Sequence, residues 1–302
     1  MIRENYVRNE NKIEREPGEV AVITHRGLDP EKPGYYMESS REAFADQISR
    51  GFGLEFDLQF TKDGKIVVLH DKDLSRITNG ADTRKVGEVN FDELLDMDFN
   101  GYHVTSFGAL LQMIQSNPNG KSLNAIHFKH GVQTKDQMDQ ILKEFEGADP
   151  EHFIFFDLKT ESAKYLKEKD GRLHLAASVA HPHDIERYNS AVGGTLLPLS
   201  EVIDNRDVFD WVWLDEWDLA DKNGGQKSLY NEETFKIARD AGLKIALVTP
   251  ELHGTSPGLL GGEAHTYAGN REKLNKRLKE IFELKPDAMC TDYPDYVKNL
   301  KK

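Results

Sequence analysis

The stretch GFGLEFDLQFTKDGKIVVLHD, residues 51–71, sets two carboxylates and a histidine within apolar, strand-like runs. Leu54, Phe56, Leu58 and Phe60 alternate with Glu55, Asp57 and Gln59. In an extended chain, residues two apart share a face, so Glu55 and Asp57 point together and the apolar side chains point the other way. Two like charges at that spacing repel unless a cation lies between them. Oxygen ligands of this kind suit a hard divalent ion such as Mg²⁺ or Ca²⁺. The plain reading of a Glu-x-Asp pair is a strand with both acids in water, but the apolar residues on both sides argue against an exposed strand. Asp63-Gly64 reads as a hairpin turn. KIVVLHD (65–71) is then the returning arm, and it closes on His70 and Asp71.

Outward from this stretch, short β-rich runs alternate with helix-like segments. VAVITH (20–25) precedes SSREAFADQISRG, whose serines suit a helix start and whose glycine suits its end. Beyond the hairpin come LNAIHFK (123–129), HFIFFDL (152–158), LHLAASVA (173–180), WVWLDEW (211–217), LKIALVT (243–249) and DAMCTDY (287–293). Segments such as KDQMDQILKEFEG and REKLNKRLKEIFEL separate them. With 65–71 counted as a hairpin arm, eight β-runs alternate with helices. This pattern predicts an α/β fold of the TIM-barrel type, (β/α)8, with a long excursion between its second and third strands. On pattern alone, a doubly wound open sheet is the alternative. Residues 1–302 read as a single domain, with 1–18 a polar N-terminal extension.

Lys and Arg number 39 and Asp and Glu 52, a formal charge of −13. Such a surface does not suit non-specific nucleic-acid binding. An anionic substrate would need locally placed positive charge. No apolar run approaches the length that spans a bilayer, so stable membrane insertion is not expected. The polar N-terminus lacks an apolar signal core. The sole cysteine, Cys290, cannot form an intrachain disulfide. Both features predict a reducing, cytoplasmic location.

In a barrel of this kind, chemistry gathers at the C-terminal strand ends. His25 and Arg26 end the first run, and His70 and Asp71 end the hairpin arm. His127 and Lys129 lie on the third run, Asp215 and Glu216 on the sixth. A lone histidine is most often structural. Two histidines at strand ends beside an acid pair make a plausible acid–base couple. Arg26 is placed to fork onto a phosphate.

In these features the chain resembles the glycerophosphodiester phosphodiesterase family. THRG (24–27), LEFDLQFTKDG (54–64), VVLHD (67–71) and DLSRITNG (73–80) follow that family's order, and DAMCTDYPD (287–295) resembles its closing strand. The resemblance implies a TIM barrel that uses one divalent metal to hydrolyse glycerophosphodiesters to glycerol 3-phosphate and an alcohol. It implies His25 and His70 as the acid–base pair and Glu55 and Asp57 as metal ligands, with Lys129 and Arg26 facing the phosphate. The implied route passes through a cyclic phosphate that water then opens.

Three departures from the family bear on the chemistry. His127 occupies the place of the family's third acidic ligand, in AIHFKH. Nitrogen there admits Mn²⁺, Fe²⁺ or Zn²⁺ beside Mg²⁺ and Ca²⁺, unless Asp215, Glu216 or Glu251 supplies the charge. A shifted register would instead make Asp157, in FFDLK, the ligand. MESS (37–40) replaces the family's Pro-Glu-Asn-Thr and keeps only Glu38, while VTPE (248–251) replaces its Trp-Thr-x-Asn. Trp213 is a candidate to stack on a substrate's sugar or base, with core packing its plainer reading. His181, His183 and the glycine-rich segment 253–269 are further loop candidates. Two other functions fit the same residues: a transferase or cyclase that releases a cyclic phosphate or a new diester, and a non-catalytic barrel that binds a phosphorylated ligand. Product analysis separates the first of these from hydrolysis, and binding without turnover would identify the second.

Overall fold

Eight short runs rich in aliphatic, aromatic and β-branched side chains pair in parallel. They are β1 (Ala21–His25), β2 (Gly53–Phe60), β3 (Asn124–His127), β4 (Phe153–Phe156), β5 (His174–Val179), β6 (Trp211–Leu214), β7 (Lys244–Val248) and β8 (Ala288–Thr291). β1 pairs with β2, Ile23 opposite Gly53, and also with β8, Ala21 opposite Ala288, so the sheet closes on itself. The open-sheet alternative is thereby excluded. The computed structural model describes residues 19–117, 122–216, 228–250 and 270–301. The 1–18 extension, Trp217, Glu251 and the 253–269 segment lie outside the described residues.

Strand alternation sorts the side chains into two apolar layers. Leu54, Phe56 and Leu58 of β2 join Ile126, Val212, Leu214, Ile245 and Leu247 in the layer shared with the surrounding helices. Ile23, Ala125, Ile154, Phe156, Trp211, Trp213 and Ala246 fill the barrel interior. Glu55 and Asp57 have the interior parity of β2, which is why the acids break an apolar run without breaking the core. Each fully buried aliphatic or aromatic side chain contributes about 1.5–3 kcal/mol.

The helices start where capping residues stand. Ser40 Oγ accepts from Ala43 N at 3.1 Å to begin Arg41–Ser49, and Asn270 Oδ1 accepts from Lys273 N at 2.9 Å to begin Arg271–Glu283. Among the described residues, no helix is long and apolar enough to cross a membrane.

The excursion after β2 is what positions His70. Gly64, at φ +74°, closes the turn, and Ile66–Val68 returns antiparallel to the end of β2, with Leu58 opposite Val68. Val67, Leu69, Leu74, Val86, Val89, Leu94 and Phe99 form a small core of their own beneath this hairpin. Leu69 N then donates to Asp57 O at 3.0 Å, which brings His70 back to the level of the second acid.

Candidate active site

The C-terminal ends of β1, β2 and β3 are in register at the mouth. His25 lies opposite Glu55, and Asp57 opposite His127. Glu55 and Asp57 are 3% and 0% exposed, so their charge is settled inside the protein rather than by water. Burial and the neighbouring Asp57 raise the Glu55 carboxyl above its usual range. Burial also works against ionised Asp57, but the Lys129 ammonium and the imidazoles of His70 and His127 hold it well below that range. The pair therefore divides the usual carboxylate behaviour between its members, as close acids do.

His127 lies across this pair. Its Nδ1 is 2.8 Å from Asp57 Oδ1 and 3.8 Å from Glu55 Oε1. Its Nε2 is 3.2 Å from Asp157 Oδ2. Burial would lower the imidazole pKa, but the two aspartates more than offset it and raise the value to about 9. Lys129 Nζ reaches Asp57 Oδ1 at 2.9 Å and donates to His70 O at 2.8 Å. Lys129 lies just past β3, before a short helical turn at His130–Val132, because strand pairing ends as the chain leaves the mouth.

Each of the two histidines named as an acid–base pair is backed by a carboxylate. His25 Nδ1 is 3.0 Å from Asp292 Oδ1, and His70 Nδ1 is 2.6 Å from Asp71 Oδ1. Asp71 in turn accepts from Arg76 Nε at 2.6 Å. Arg76 also binds Glu38 at 2.5 Å, and Glu38 faces Arg26 Nη1 at 3.4 Å. Burial keeps His70 at about 4, despite the nearby Asp57. Arg26 has a left-handed backbone, φ +52°, and its N–H donates to Glu55 Oε2 at 3.2 Å.

Glu55, Asp57 and His127 each present a ligand atom within 4.8 Å of the others. Asp57 Oδ2 is buried and accepts no hydrogen bond among the described residues. A buried acceptor left in this way, inside a cluster of hard donors, fits a divalent cation. Glu216 does not join this cluster. Its Oε2 accepts from Leu229 N and Tyr230 N, and its Oε1 accepts from Arg277 Nη2 at 3.0 Å. Asp157 does reach the site, but on the far ring nitrogen of His127.

Trp213 is 3% exposed and stacks on Phe156 at 3.9 Å, and Phe156 stacks on His127 at 4.5 Å. The indole thus underlies the site from within the barrel. His181 and His183 lie at the start of the Pro182–Tyr188 helix that follows β5. The roles of Asp292 and Arg76 were not assigned from the sequence, and Asp157, which a shifted register would make a metal ligand, instead meets His127 Nε2. The Asp that follows Thr291 and the His-Asp pair were visible as motifs, but nothing local told which histidine each acid would meet.

A profile of the glycerophosphoryl diester phosphodiesterase family matches residues 25–296. The chain belongs to that family, a family of phosphoric diester hydrolases. A glycerophosphodiester phosphodiesterase of Bacillus subtilis (strain 168) is 40% identical over 67 residues, 21% of this chain and 21% of that protein. The chain therefore aligns with about a fifth of that relative's length. A putative glycerophosphodiester phosphodiesterase from Galdieria sulphuraria superposes with a TM-score of 0.67 at 17% identity, covering 94% of this chain and 98% of that one. An Oleispira antarctica phosphodiesterase, solved with the product sn-glycerol-3-phosphate, superposes with a TM-score of 0.62 at 16% identity, covering 93% and 96%. At these identities the superpositions establish the TIM-barrel fold.

Proposed function

We propose that this protein hydrolyses glycerophosphodiesters to glycerol 3-phosphate and an alcohol, with His25 and His70 as acid and base. The observation that carries the reading is the pair of His–Asp couples flanking the Glu55–Asp57 centre. Each aspartate engages Nδ1, so Nε2 is the nitrogen of each histidine that would work on substrate. Family membership and the product-bound Oleispira relative support the substrate class. The substrate is a small molecule, and no nucleic-acid partner is proposed. The unit that acts is one barrel domain, in a reducing compartment suited to the single buried Cys290.

His70, held unprotonated by burial, accepts the proton of the neighbouring glycerol hydroxyl as its oxygen attacks phosphorus. His25, backed by Asp292, donates a proton to the departing alkoxide as the phosphorus–oxygen bond breaks. A cyclic phosphate results. Water opens it with the two proton transfers reversed, so both histidines return to their starting states. Arg26 and Lys129 offset the charge of the phosphoryl oxygens. Trp213 acts from beneath, through Phe156, to keep the His127 ring in place. Glu55, Asp57 and His127 would hold one divalent cation, which when bound would stabilise charge on the equatorial oxygens. Phosphorus NMR of the purified protein with glycerophosphodiesters tests the proposal. A growing glycerol phosphate signal is expected, and His25→Ala and His70→Ala should each slow it by roughly 10²–10⁴-fold. Full activity in both variants sinks the histidine assignment. A persistent cyclic phosphate or a new diester would replace hydrolysis by cyclisation or transfer.

A further inference from the structure

Asp157 is one of the few non-glycine residues with a left-handed backbone, φ +64°, and it is 6% exposed. Such a conformation costs about 1–3 kcal/mol and persists only where the surroundings impose it. Here Gln133 imposes it. Its Nε2 donates to Asp157 O at 2.8 Å and to Phe128 O at 2.6 Å, and its Oε1 accepts from Lys159 N at 3.1 Å. The result aims the Asp157 carboxylate at His127 Nε2, 3.2 Å away. Phe156 fixes the ring plane from one side, stacked at 4.5 Å and 18°. The other ring nitrogen, Nδ1, faces Asp57 and Glu55.

We infer that Asp157 is a positioning residue which, with Gln133, makes His127 a nitrogen ligand and turns the centre into a mixed nitrogen–oxygen site selective for Mn²⁺ and its neighbours over Mg²⁺ and Ca²⁺. This rests on the cation reading proposed above. A histidine that ligates a metal through one nitrogen donates the other N–H to a carboxylate, which fixes its tautomer and strengthens it as a ligand. The two nitrogens of an imidazole point apart, so a carboxylate on Nε2 backs the ring without occupying the cation's side. Nitrogen donors favour Mn²⁺ and later transition ions, whereas Mg²⁺ and Ca²⁺ favour oxygen alone. Asp157 and His127 belong together in this account: the aspartate holds the ring from behind while Nδ1 faces Asp57 and Glu55.

The test uses the full chain, stripped with a chelator and titrated calorimetrically with Mn²⁺, Mg²⁺ and Ca²⁺. Mn²⁺ should bind at least roughly tenfold more tightly than Mg²⁺. Pulsed EPR of the Mn²⁺ form should show ¹⁴N coupling from one imidazole. Asp157→Asn should weaken Mn²⁺ by roughly 10–100-fold and narrow the Mn²⁺ to Mg²⁺ ratio. His127→Glu should abolish the ¹⁴N coupling and move preference towards Mg²⁺ or Ca²⁺. The wild-type EPR spectrum needs no variant to fold, and a Mn²⁺ spectrum without ¹⁴N coupling overturns the inference, as does an unchanged ion ratio in a folded Asp157→Asn protein. Turnover is measured separately. A nitrogen-coupled ion without diester hydrolysis would overturn the proposed function and leave this inference standing. Hydrolysis that persists while the Mn²⁺ spectrum lacks ¹⁴N coupling would overturn the inference and keep the histidine chemistry.

Discussion

At the scale of single residues, burial moves the titration of His70 well below that of a free imidazole. An unfolded histidine titrates near 6.5, whereas burial holds His70 at about 4. Between those values the unfolded chain takes up a proton that the folded chain refuses. Stability therefore falls as pH drops through roughly 6.5 towards 4, by about 3 kcal/mol in all. Urea unfolding at pH 7 and pH 4.5 checks this: the loss between the two should be smaller in His70→Gln than in the wild type. Equal losses would mean that the imidazole is not held neutral. Asp292, fully buried against His25, gives a second expectation at this scale. Asp292→Asn should cut kcat by roughly 10²–10⁴-fold with KM little changed, because it misorients a proton-transfer group and removes no substrate contact. Steady-state kinetics would decide this, and a rise in KM alone would count against it. The residues Glu55, Asp57, His70 and His25 were legible as chemistry because polar groups interrupt apolar runs. Asp292 was not, since its partner lies 267 positions away.

At the scale of elements, β2 has a double task. Its odd positions carry the acids into the barrel, and its even positions carry Leu54, Phe56 and Leu58 into the helix layer. Register is thus fixed by burial on one face and by function on the other. Gly53 opens the strand because β3 runs close to it: a Cβ there would meet Leu123 O at 1.8 Å. Gly53→Ala should therefore destabilise by at least about 1–3 kcal/mol, and thermal unfolding measures it. An unchanged melting temperature would show that β3 can move away freely. Alternation and the Asp63-Gly64 turn made this element and its hairpin readable in advance. The excursion's small core was visible only as length, because residues such as Leu74, Val89 and Phe99 show no strict period and meet only once the chain has folded back.

At the scale of the whole molecule, the barrel closes by the pairing of β1 with β8, and buried charge is tied down far from the chemistry as well as near it. Glu216, Arg277 and Tyr230 join the end of β6 to the Arg271–Glu283 helix, with both charged side chains nearly buried. Removing one partner strands the other charge, so Arg277→Met should cost about 3–5 kcal/mol. Denaturant titration tests this. The folded fraction should keep its hydrolytic rate, because the Glu216–Arg277 pair stands apart from the cluster of Glu55, Asp57 and His127. A matching loss of rate per folded molecule would place Glu216 in the site after all.

The sequence by itself determined the α/β class, since eight apolar runs of strand length alternate with helices, while closure into a barrel rather than an open sheet was decided by the pairing of β1 with both β2 and β8. It also determined the chemistry on offer at the mouth, because carboxylates, imidazoles and an arginine at strand ends are compositional facts. Tertiary structure alone decided their partnerships. It placed Asp292 behind His25, Arg76 between Asp71 and Glu38, and Asp157 behind His127, and it removed Glu216 to an ion pair with Arg277. The physical reason is that alternation and turn chemistry act between near neighbours along the chain. A hydrogen bond between side chains on different strands depends on barrel closure and stagger, which no local pattern encodes.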